Sequence, residues 1–135
     1  MTESFSLPSL HDNQLLAYEV SCALRQIKLY VKSSAATRWI AFQRVEGYQF
    51  ENDAFGNIID SFGELTMEQF FAEYGSRIAE AFRIAGAPGP WAADIESAPL
   101  KLVDNGIRAF VINSSYGLSG WILAGTVSIN LEIDR

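Results

Sequence analysis

The chain has one cysteine, Cys22, and one histidine, His11, in 135 residues. A single cysteine excludes an intramolecular disulfide and a Cys-rich structural zinc site. A single histidine means that any Ser/His/Asp or Cys/His mechanism must run through His11. That residue is followed by Asp12 and Asn13, a grouping that points to a turn more than to a catalytic base. EF-hand spacing, histidine–glutamate helix motifs and the glycine fingerprints of nucleotide-binding loops are all missing, so no metal and no cofactor is expected. No apolar run approaches the roughly 20 residues that span a bilayer. Met1 to Pro8 carries neither a basic nor an apolar signal-peptide region, which predicts a cytoplasmic protein.

Positive charge is also scarce. Ten Lys and Arg stand against sixteen Asp and Glu, a formal net charge of −6. This argues against nucleic acid and against an anionic membrane surface as partners. From Glu51 to Glu73 there are six acids and no base: Glu51, Asp53, Asp60, Glu64, Glu68 and Glu73. Such a stretch either solubilises the surface or meets a basic protein partner, with Glu64 and Glu68 as candidate contacts.

What is abundant is apolar and aromatic residues, 49% and 13% of the chain. That is enough to exclude disorder and to build one core, so residues 1–135 are read as a single domain. The expected fold class is α+β: a mainly antiparallel sheet covered on one face by a long helix, about 66–86, with a second short helix near 97–105. The long helix is the clearest element. Thr66-Met-Glu-Gln69 fits a capping box, and Met67, Phe70, Phe71, Tyr74, Ile78 and Phe82 recur at spacings of three and four. Gly86 and Pro88 supply the stop. Glu73–Arg77 and Glu80–Arg83 are the expected surface pairs.

Period-two alternation marks the strands. In the first, Leu16, Tyr18, Val20 and Cys22 share a face, which makes Cys22 a buried small hydrophobe. The chain then turns near 23–26 into a second strand with Ile27, Leu29 and Val31 on one face. A third contains Ile40 and Phe42, continuing or bending at Gly47. Ile58 to Phe62 is a short fourth strand ended by Gly63. The C-terminal strands are 107–112 and 121–133, the latter at a sheet edge where it could join a homo-oligomer. Residues 1–9 form an arm that docks through Leu7 or Leu10.

Between the last two strands lies Asn113-Ser-Ser-Tyr-Gly-Leu-Ser-Gly120. Gly117-Leu-Ser-Gly120 approaches a nucleophile elbow but has Trp121 where the final glycine belongs, and no helix follows. Its glycines are read as turn residues and its serines as local hydrogen-bonders. Tyr116, Ser119 and Trp121, with Trp91 and His11 if the loops meet, are candidate lining for a recognition surface or small pocket. No catalytic residue is assigned.

Leu10-His-Asp12, Gly56-Asn-Ile-Ile59, Gly89-Pro-Trp91 and Ser114-Ser-Tyr-Gly-Leu-Ser-Gly-Trp121, taken in order, resemble a family of small bacterial proteins of uncharacterised function. The Leu-His-Asp opening followed by a hairpin is similar to immunity proteins of bacterial toxin systems. The resemblance implies a non-enzymatic interaction protein that binds a basic partner, with no functional residue to carry over. The alternative is a small-ligand-binding or hydrolytic domain with a pocket near the 113–121 turn.

Overall fold

The computed structural model describes residues 9–34 and 36–132, excepting the side chains of residues 131 and 132. Eight strands and two α-helices follow in order: β1 (Gln14–Ser21), β2 (Gln26–Lys32), β3 (Thr37–Gln43), β4 (Gly47–Glu51), β5 (Ile58–Leu65), α1 (Met67–Ala85), a 3₁₀ turn (Pro90–Ala93), α2 (Ala98–Asp104), β6 (Arg108–Tyr116), β7 (Ser119–Ala124) and β8 (Thr126–Glu132). The strands form one antiparallel sheet, ordered β4-β7-β6-β5-β1-β2-β3-β8. The fold is therefore α+β.

The two ends of that order are joined by the chain itself. β3 pairs with β8, and β4, which follows β3 after three residues, pairs with β7. Residues 37–51 and 119–132 are thus two long strands bent at the same level, where Arg44–Glu46 oppose Ala124 and Gly125 in a bulge. The sheet curls into a barrel. Arg44 holds the bend: it has φ +54 and its Nη2 donates to the Asn105 carbonyl at 2.5 Å. A Cβ on Gly125 would lie 2.8 Å from the Arg44 guanidinium carbon, so a side chain there would push the arginine aside. The predicted continuous strand 121–133 is consequently two strands, and its last residue lies outside the described residues.

Two cores follow from strand alternation. Phe110, Ile112, Ile122 and Ala124 point into the barrel with Ile27, Leu29, Val31, Ile40 and Phe42. Their neighbours Ala109, Val111, Trp121 and Leu123 point outward, beneath Met67, Phe70 and Ile78 of α1. β6 and β7 are buried on both faces, which is why they read as continuous apolar runs. The capping box is formed: Thr66 Oγ1 accepts from the Gln69 N–H at 3.1 Å, and Gln69 Oε1 from the Thr66 N–H at 3.0 Å. Gly86 closes the helix in the left-handed conformation. Arg83 pairs with Glu80 at 2.6 Å. The ion pair of Arg77 reaches Glu51 at 3.7 Å, where sequence spacing pointed to Glu73.

Several strand expectations are corrected. β1 carries a bulge between Leu15 and Ala17. Leu15 faces the core opposite Val31, whereas Tyr18 and Val20 face it opposite Leu29 and Ile27. Leu16 is the extra residue and is exposed, and Cys22 lies in the exposed hairpin turn rather than the core. Gly63 does not end β5, which pairs through it to Leu65. The predicted eight-residue Gly/Ser turn shrinks to Gly117 and Leu118, because β6 extends to Tyr116 and β7 starts at Ser119. Leu10 docks into the barrel core; Leu7 lies outside the described residues.

Candidate functional site: an apolar patch beside the turn held by Asn57

The β6–β7 turn is built around a side chain from another loop. Asn57, itself buried, accepts with Oδ1 from the Leu118 N–H at 2.7 Å and from the Ala54 N–H at 3.1 Å, and its Nδ2 donates to the Ala54 carbonyl at 2.5 Å. Gly117 has φ +94, and a Cβ there would lie 1.9 Å from Asn57 Oδ1. Glycine therefore lets the turn close over the amide. The serines complete the lock. The Ser114 N–H donates to Ser119 Oγ at 3.1 Å, Ser114 Oγ donates to the Leu118 carbonyl, and Ser115 Oγ donates to the Ile58 carbonyl at 3.3 Å.

Most residues singled out from sequence are engaged within the fold. Ser119 Oγ accepts from the Ser114 N–H; the His11 ring has its Nδ1 3.0 Å from the Asp60 carbonyl and 3.4 Å from its carboxylate, and its Nε2 3.4 Å from Asp12. The backbone carbonyl of Asp60 first, then the Asp12 carboxylate, raises the imidazole pKa above its ordinary value. Trp121 is only 4% exposed, packed edge-on to Phe70 with ring centroids 5.2 Å apart. Outward orientation on β7 did not leave it free, because α1 covers that face. Trp91 donates its Nε1–H to the Glu46 carbonyl at 3.0 Å and packs against Phe71. Both tryptophans belong to the core under the helix, away from solvent-facing Tyr116.

Much of the acidic stretch is engaged within the fold as well. Glu64 forms a two-bond ion pair with Arg108, at 2.6 and 3.0 Å, across β5 and β6. This pairing first, offset by partial burial, raises the Arg108 pKa. Glu51 meets Arg77, Asp53 accepts from the Tyr18 hydroxyl at 2.5 Å, and Asp60 meets His11. Glu68 stands exposed in the first turn of α1. These acids lie at the end of β4, in a loop, on β5 and on α1, and four of them are engaged by Arg77, Tyr18, His11 and Arg108.

What the fold assembles instead is apolar. Ile58 is the cross-strand partner of both Tyr116 and Gln14. Leu16 lies two residues along β1 from Gln14 and lines, with Phe55 and Asp53, a groove of about 380 Å³. Phe55 is fully exposed, and Leu16, Ile58 and Tyr116 are 48%, 39% and 58% exposed. Only Tyr116 was found by sequence reasoning. Leu16 was hidden by the bulge, and Ile58 was placed only as the first residue of a short strand, with no face assigned. Phe55 carried a usable signal, an aromatic between alanine and glycine in a polar loop. A second cleft, of about 420 Å³, lies beside Cys22, Arg25, Glu46 and Tyr48, and the Arg25–Glu46 ion pair at 3.2 Å crosses it.

Among the described residues, no three His, Cys, Asp or Glu side chains group to hold a metal ion, and no helix is long and apolar enough to cross a membrane. No protein-family profile matches the chain, and neither a curated protein nor a solved structure is significantly similar to it.

Proposed function

We propose that the protein is a non-enzymatic interaction protein that binds a basic partner through the Leu16–Phe55–Ile58–Tyr116 surface, in the manner of an immunity protein. The observation that carries this reading is the exposure of four large apolar side chains from three strands and a loop, of which Leu16 and Phe55 line one groove and Ile58 pairs with Tyr116 beside it. Exposed apolar groups that cluster, rather than scatter, are characteristic of recognition surfaces. Asp53 in the groove wall and the chain's net charge of −6 favour a cationic partner and speed its encounter. The serines near Tyr116 serve the turn's own backbone, which supports a binding role over a hydrolytic one.

The test is affinity capture from native lysate with the wild-type chain and with the double variant Phe55→Ser/Tyr116→Ser, at low and moderate salt. The expected result is a basic protein retained by the wild type, weakened by salt and lost with the variant. Equal retention by both chains, or no salt-sensitive partner, overturns the reading.

A further inference from the structure

β8 ends the sheet: it pairs with β3 along its whole length, and among the described residues nothing pairs with its other side. Edge strands are usually guarded by proline, lysine, a bulge or a short length. β8 has none of these. It is seven residues long, reads Thr-Val-Ser-Ile-Asn-Leu-Glu, and keeps an unbroken register with β3. The opposite edge is guarded: β4 has five residues, and a Cβ on its Gly47 would lie 2.9 Å from Pro88.

We propose that β8 pairs antiparallel with β8 of a second copy of this chain, about a twofold axis at Ile129. The sequence of the strand is self-complementary in that register. Ser128 stands opposite Asn130 on the outer face, a pair of small hydrogen-bonding groups. Val127 is buried in the barrel core and Ile129 packs against it, so 127 and 129 are inner positions. Ile129 is covered only in part by that core. In the dimer its open side meets the partner's Ile129, which accounts for an isoleucine left half-covered at a sheet edge. One strand pair buries less than the roughly 1,200 Å² of a standard stable interface. The dimer is therefore weak and concentration-dependent, and it is independent of the Phe55 surface.

Sedimentation equilibrium of the full chain, from micromolar to millimolar concentration, tests this. The expected weight-average mass rises towards twice that of one chain. Ser128→Lys/Asn130→Lys places like charges opposite one another on the outer face, where the monomer tolerates them, and is expected to stay monomeric with an unchanged circular dichroism spectrum. Mixing it with Ser128→Glu/Asn130→Glu is expected to restore a mixed dimer. A wild type that remains monomeric throughout, or a dimer that the lysines leave intact, overturns the proposal.

Discussion

Asn57 Oδ1 accepts the Leu118 N–H at 2.7 Å across 61 residues of chain, and the missing side chain of Gly117 leaves the space through which it does so. This pair couples the Phe55 loop to the β6–β7 turn. It fixes the position of Tyr116 at one end of the patch relative to Phe55 at the other.

Asn57→Ala leaves the Leu118 and Ala54 amides without their acceptor. Each buried orphan costs about 1–3 kcal/mol, so the expected loss is about 3 kcal/mol in urea unfolding. Gly117→Ala is expected to be at least as damaging, since it meets Asn57 Oδ1 and also demands φ +94. The double variant is expected to cost less than the sum of the two, because Asn57→Ala removes the obstacle. Full additivity would show that the two residues act independently.

The bulge in β1 makes neighbours behave oppositely. Leu15 is buried and Leu16 is exposed. Leu15→Ala is expected to cost about 2–5 kcal/mol, and Leu16→Ser to change stability by no more than about 0.5 kcal/mol. The two melting temperatures decide it; an equal loss would place both side chains in the core.

His11 gives the stability a pH dependence of known sign. Its folded-state pKa is raised above 6.5, chiefly by the Asp60 carbonyl and then by Asp12. The stabilisation is fully present below 6.5 and is lost as pH rises through the raised value. The urea midpoint of wild type minus that of His11→Gln is expected to be positive in acidic buffer and to vanish in mildly alkaline buffer. A difference that grows with pH would contradict the assignment.

Phe55 and Tyr116 contribute to binding and little to folding. Phe55→Ser/Tyr116→Ser is expected to leave the unfolding free energy within about 0.5 kcal/mol of wild type. A large loss would show that the surface is part of the fold.

The elements with local rules were legible. The capping box of α1, the αL glycine after it and the alternation of β2 each depend on residues a few positions apart, and each formed as the sequence implied. Most of the failures depend on contacts distant in sequence. The bulge at Leu16 turns that residue out of the face it was expected to share with Tyr18 and Val20, and Cys22 lies past the end of β1 in the hairpin turn. The last strand breaks at Gly125, where residues 44–46, about 80 positions earlier, bulge against 124–125. Trp121 looked available until α1 was laid over β7. Of the candidate site, Tyr116 was visible in the sequence, whereas the patch around it exists only once β5 joins β1 to β6.

The most direct test of the central claim is a nitrogen-15 NMR titration of the full chain with the basic-protein fraction of native lysate, eluted from a cation exchanger. The account predicts shift or broadening centred on Leu16, residues 54–58 and Tyr116, reversed by added salt. Perturbation confined to β2 and β3, or none at any fraction concentration, would contradict it.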